Sequence, residues 1–156
     1  MTETLAAETL VGTWRLVDWT VHRDDGTRAK PLGDDPVGLL VYTPEGRMAG
    51  QMMRTGRPRL RRGRATAADT AGTPEEIVAA FNGYVAYFGT YSVDPTAGTV
   101  YHHVEAALIP NWEGTELVRA AELHGDELVL RTPAVEVGGQ RQTGTLTWRR
   151  DRPLQP

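Results

Sequence analysis

The chain holds no cysteine in 156 residues, so it builds no disulfide framework, thiolate metal site, iron–sulfur cluster or thiol nucleophile. Its only serine, Ser92, lies outside any Gly-x-Ser-x-Gly elbow, which argues against serine catalysis. Walker-type phosphate loops and dinucleotide fingerprints are missing as well. No apolar run approaches the roughly 20 residues of a membrane span. The opening Met1-Thr2-Glu3-Thr4-Leu5 has no basic segment followed by an apolar one, so no secretory signal is read there. The formal charge of −3 lacks the basic excess of a dedicated nucleic-acid binder. Large aromatics are few, with two Phe, four Trp and five Tyr. These absences leave one cytoplasmic domain over 1–156, long enough to bury a core without staples, with 1–9 and 151–156 as flexible ends. No metal, cofactor, membrane or nucleic-acid partner is expected, and monomer and homodimer both remain open.

Basic residues are unevenly placed. Six of the 17 (Arg54, Arg57, Arg59, Arg61, Arg62 and Arg64) form one run without an acid among them. Such a run is either an anion site or a solvated loop. Gly56, Pro58 and Gly63 interrupt any regular element, and no aromatic is interleaved to stack on bases. A mobile surface loop, free to lie over a pocket mouth, is the reading.

What is present reads as short strands between turn signals. Thr13 to Val21 ends at Arg23-Asp24-Asp25-Gly26, and Val37 to Thr43 meets Arg47 to Met53 through Pro44-Glu45-Gly46. Thr90 to Val93 and Thr99 to Ile109 flank Asp94-Pro95-Thr96-Ala97-Gly98. Thr115 to Leu123 and Glu127 to Thr132 are joined at His124-Gly125-Asp126, and Gly144 to Arg150 is the last strand. About eight strands without a βαβ rhythm predict an all-β fold. One segment differs: Thr73-Pro74-Glu75-Glu76 is an N-cap, first-turn proline and capping-box glutamate in the preferred order. Ile77, Val78, Phe81, Tyr84, Val85 and Phe88 then recur at helical spacing, predicting one helix over about 74–88 whose apolar face covers the sheet. Closing the sheet removes its edges, so an antiparallel up-and-down barrel follows, with room for one small ligand.

Two stretches carry a resemblance. Leu10-Val11-Gly12-Thr13-Trp14-Arg15-Leu16 is similar to the Gly-x-Trp opening of lipocalin-like barrels. In those barrels the tryptophan plugs the closed end beneath a basic residue of the last strand, here offered by Arg149 or Arg150 after Trp148. Val37 to Met48 (VGLLVYTPEGRM), Gly83 to Tyr91 (GYVAYFGTY), His102-His103-Val104-Glu105 and Pro110 to Thr115 (PNWEGT) resemble the bacterial and fungal lipocalin-like domain family. The resemblance runs from about Leu10 to Arg150. It implies a small barrel with a central cavity. Related small barrels include cyclases and pericyclases that fold a reactive polyketide-type substrate.

Candidate site residues follow from alternation. Along 99–109 (TVYHHVEAALI), Val100, His102, Val104, Ala106 and Leu108 share one face, and Tyr101, His103, Glu105 and Ala107 the other. The two histidines point apart and cannot grip one metal. His102 faces the interior as a neutral general base. On the other face, His103 and Glu105, roughly 6.5–7 Å apart along the strand, would support acid–base work through a bridging substrate or water. On the next strand Arg119 projects inward and needs an acceptor, either Glu105 or an anionic or enolate ligand oxygen. In the turn between them Trp112 gates the pocket and Asn111 offers a hydrogen bond. Tyr84, on the helical stripe, brings its hydroxyl to the cavity mouth. Met48 and Met52 share one strand face, Gln51 and Met53 the other; Tyr42, Gln51 and Met53 complete the expected binding set.

Two functions remain. In the first, which the resemblance favours, the barrel is a cofactor-free cyclase or isomerase acting on a hydrophobic, polyketide-like substrate in natural-product biosynthesis. His102 or His103 would move the proton, and Arg119 with Tyr84 would hold an oxyanion. In the second, it is a carrier or sensor that binds a small hydrophobic molecule unchanged.

Overall fold

Wherever the chain must reverse, it spends a glycine or a proline, and the apolar alternation between those points becomes strand. The computed structural model describes residues 3–61 and 72–153. Its strands are β1 (Gly12–Arg23), β2 (Arg28–Ala29), β3 (Val37–Tyr42), β4 (Arg47–Met53), β5 (Tyr84–Asp94), β6 (Thr99–Ala107), β7 (Glu116–His124), β8 (Glu127–Arg131), β9 (Val135–Val137) and β10 (Gln140–Arg150). The helices are α1 (Ala7–Leu10) and α2 (Pro74–Asn82), with a 3-10 turn at Pro110–Trp112. Strands β1, β3 to β8 and β10 pair in that order, and β10 returns to pair with β1. This is the expected eight-stranded up-and-down barrel; β2 and β9 add short ribbons to β1 and β10. Closure gives every long strand two neighbours and removes most of the free edge that could template aggregation.

One end of the barrel is sealed. Trp14 is fully buried there, and its indole N–H donates to the Leu10 carbonyl at 2.9 Å. The Arg150 guanidinium lies 4.1 Å from the Trp14 ring and donates to the carbonyls of Thr9 and Val11. Leu5 and Leu10 join the same core, and the Glu3 N–H reaches the Leu123 carbonyl. The described part of the N-terminal segment, from residue 3 to Leu10, packs as this floor.

The helix is shorter than its spacing predicts. Its start is as expected, with Thr73 and Glu76 exchanging capping-box bonds. It stops at Asn82, and Tyr84 to Phe88, expected in its last turns, open β5. A dense apolar run fits periods of both 3.6 and 2; beyond Gly83 the barrel selects the second, burying Val85, Tyr87 and Tyr91. Nor does α2 cover the sheet: it buries no residue, and Ile77, Val78 and Phe81 stay 44%, 57% and 43% exposed. Three of the run's described arginines have partners in the fold. Arg54 donates to the Pro31 carbonyl, Arg57 to that of Ala80, and Arg61 pairs with Glu76 at 3.4 Å. Arg62 and Arg64 lie outside the described residues.

Candidate functional site

At the end opposite the floor, inward side chains stop short of filling the barrel and leave a largely enclosed cavity of about 180 Å³. An apolar protein cavity of about 150 Å³ is known to hold benzene, so this space admits one ring with short substituents. Leu40, Met52, Val85, Leu130, Leu146 and Trp148 make its apolar wall, and Tyr87, Arg119 and Thr132 are its polar side chains. Trp19, Trp112, Arg119 and Thr132 also line an outer vestibule of about 430 Å³. The way in follows from register. Strand β8 pairs with β7 only from Ala120 onward, so Glu116–Arg119 stand away from it and the wall opens there.

His102 is inward, as alternation predicts, and fully buried. Its Nε2 lies 2.7 Å from the Tyr42 hydroxyl and its Nδ1 3.0 Å from that of Tyr87. Burial, reinforced by the nearby Arg119 charge and by His103, lowers its pKa to about 3, so the ring is neutral. It does not reach the cavity; Tyr87 lines the cavity, while neither His102 nor Tyr42 does. Burial likewise raises the pKa of Tyr42 and of Tyr87. Tyr42, expected in the binding set, does not line the cavity and is instead the inner partner of His102.

Arg119 also points in, half-buried between cavity and vestibule. Its expected acceptor, Glu105, is not there. Register sets Arg119 opposite Val100, and Glu105 faces outward, where it pairs with Arg47. Arg119 donates to the Val118 carbonyl, and its guanidinium also acts on the Tyr87 hydroxyl as a hydrogen-bond partner. Among the described residues no carboxylate pairs with it, Glu105 being held by Arg47 and Glu116 by His103. The expected His103–Glu105 couple is replaced accordingly. His103 bonds Ser92 through Nε2 at 3.0 Å and Glu116 through Nδ1 at 3.1 Å. That connectivity is a triad's, but Ser92 and His103 stand on the convex outer wall and line none of the cavities described.

Trp112 lines both cavity and vestibule, edge-on to Tyr87 with ring centroids 5.6 Å apart. Asn111 beside it is exposed and lines no part of the cavity. Tyr84, Gln51 and Met53 are on the wrong face: Tyr84 bonds Gln51 on the outer wall and stacks against Arg57, while Met52 takes the inward position. Tyr84 faces outward because it opens β5 and does not extend the helix, and Gln51 and Met53 face outward by the parity of β4, a strand that carries methionine on both faces. Sequence reasoning missed Tyr87, Trp19 and Thr132. Tyr87 had a signal, the two-residue alternation Val85, Tyr87, Tyr91. Trp19 had none, because a bulge between Leu16 and Asp18 shifts the inward set from Trp14 and Leu16 to Trp19 and Val21.

Among the described residues no group of acidic or histidine side chains is arranged to hold a metal, and no helix is long and apolar enough to cross a membrane. Residues 11–151 match the family model described as a lipocalin-like domain. The chain is 38% identical over 111 residues to the 4'-hydroxy-3'-methoxypropiophenone carrier protein ppsC of Aspergillus oryzae, covering 66% of this chain and 96% of that protein. No solved structure matches it.

Proposed function

The chain belongs to the lipocalin-like domain family, and from that premise we propose that it is a carrier which holds one small, largely apolar, single-ring molecule and releases it unchanged. The carrying observation is the cavity itself: about 180 Å³, apolar on most sides, with the one fully buried titratable histidine set behind its wall. Cyclisation or isomerisation by proton transfer would ask for an acid–base group in contact with the ligand. His102 is screened by Tyr87, and His103 stands outside the barrel. The relative's name, that of a carrier for an aromatic ketone, agrees with both the size and the passive role.

Because Trp19, Trp112 and Trp148 line the site, a bound ring will quench intrinsic fluorescence. Titration with one-ring aromatics should give saturable 1:1 quenching, with the ligand recovered intact by mass spectrometry. Leu130→Trp, which fills the cavity, should abolish the effect. Conversion of the ligand into a product that builds up with time would overturn the carrier reading, as would quenching unaffected by Leu130→Trp.

A further inference from the structure

We infer that the Tyr42–His102–Tyr87 chain holds the Tyr87 hydroxyl as a hydrogen-bond donor into the cavity, so that Tyr87 and Arg119 select ligands bearing a carbonyl oxygen on their ring. This rests on the carrier reading and deepens it. The argument is one of donors and acceptors. A neutral imidazole has one N–H and one lone pair, and His102 spends both on tyrosine hydroxyls. Two arrangements satisfy the ring. In the first, Tyr42 donates to Nε2, the Nδ1–H donates to the Tyr87 oxygen, and the Tyr87 O–H is left over. In the second the directions reverse, and the Tyr42 O–H is left over.

The two leftovers are not equivalent. Tyr42 is 1% exposed, and His102 is its one hydrogen-bond partner among the described residues. An O–H stranded there is disfavoured by roughly tenfold to a hundredfold. The Tyr87 O–H belongs to a side chain that lines the cavity. The first arrangement therefore holds, and the Tyr87 proton is directed away from His102. Accepting from Nδ1–H also polarises the Tyr87 hydroxyl into a better donor.

The rest of the wall agrees. Arg119 has only the Val118 carbonyl and the Tyr87 oxygen as acceptors, and the latter contact likewise leaves the Tyr87 O–H to point elsewhere. Trp19 and Trp148 bury indole N–H groups with no acceptor among the described residues. Thr132 already takes the Gly144 N–H. The site is rich in donors and short of acceptors, so the complementary group on a ligand is an acceptor oxygen. A carboxylate would satisfy the same donors. The neutral His102 and the apolar remainder of the wall favour the uncharged carbonyl, since a buried anion needs more compensation than one half-buried guanidinium supplies.

Three ligands of nearly equal shape decide it: acetophenone, ethylbenzene and benzoate, titrated by tryptophan quenching. Acetophenone should bind roughly tenfold tighter than ethylbenzene. Tyr87→Phe should erase that preference while ethylbenzene affinity holds. Nitrogen-15 NMR of labelled histidine in the wild-type protein reads the relay without a variant or a ligand, and should show a proton on Nδ1 and none on Nε2 of His102. An Nε2-protonated ring overturns the inference, as does equal affinity for ketone and hydrocarbon, which leaves the carrier reading standing. Preference for benzoate over acetophenone overturns it in favour of an anion site. If none of the three binds, the carrier reading falls and this inference with it.

Discussion

Arg150, at the end of β10, caps the ring of Trp14, near the start of β1, at 4.1 Å, while its guanidinium also feeds two carbonyls of the floor segment. One side chain thus ties the first strand, the last strand and the N-terminal segment together. Arg150→Lys keeps the charge but loses the planar fork and the stacking surface. It should cost about 1–3 kcal/mol, from the cation–π contact and the orphaned carbonyls. Trp14→Ala opens a void in the floor and should cost about 3–5 kcal/mol. Chemical denaturation of the two single variants and the double variant should show less than additive loss; strict additivity would mean that the stacking contributes nothing.

Acid should destabilise the fold through His102. Its folded-state pKa is about 3, against 6.5 for an unperturbed histidine, because burial and then the Arg119 charge and His103 oppose protonation. Tyr42 and Tyr87, which also face the ring, have pKa values raised and stay neutral throughout this range. Between those two values the unfolded chain takes up a proton that the fold refuses. The stability contributed is whole above about pH 6.5 and declines as pH falls toward 3, at roughly 1.4 kcal/mol per pH unit. His102→Gln, which can both donate and accept, should flatten the fall of melting temperature between pH 6.5 and 4. Parallel profiles for variant and wild type would refute the assignment.

Alternation made the barrel legible, and strand parity and one turn place His102 and Arg119 inward and Trp112 at the barrel rim. The missing part is what parity cannot carry. A bulge in β1 reverses the faces after Leu16, hiding Trp19. Register between β6 and β7 separates Glu105 from Arg119, a pairing that composition alone makes attractive. The apolar run after Gly83 satisfies two periodicities at once, and only closure of the barrel decides between them. Polar groups on a strand are legible as inward or outward, but how deep they lie behind another side chain, as His102 lies behind Tyr87, is set by tertiary packing.

Gly89 is a second fixed point of the barrel. A bulge falls between Phe88 and Gly89, and a Cβ built on Gly89 would overlap the His103 carbonyl oxygen on the facing strand. That obstruction is backbone and cannot rotate away. Gly89→Ala should therefore force β5 from β6 and cost roughly 2–4 kcal/mol, at the upper end for a single added methyl. Gly46→Ala, in the open β3–β4 turn where a Cβ meets nothing within 4 Å but φ is +87°, should cost only about 1 kcal/mol. Urea denaturation of both variants ranks them, and an equal or reversed order would refute the close approach.

Passage of a ligand should be governed at Trp112. Cavity and vestibule meet at Trp19, Trp112, Arg119 and Thr132. Of these, Trp112 sits in the short 3-10 turn and rests edge-on against Tyr87. It is only half-buried, so truncation takes little from the core, yet it removes one side of the mouth. Trp112→Ala should accelerate both binding and release. Release should gain more, because a ring contact worth about 1–2 kcal/mol is lost with it, weakening affinity roughly tenfold. Trp112→Phe should restore most of the affinity, since an aromatic edge against Tyr87 remains. Stopped-flow quenching, read from Trp19 and Trp148, separates the two rates. Unchanged rates in Trp112→Ala, with the melting temperature preserved, would move the way in to another face of the barrel.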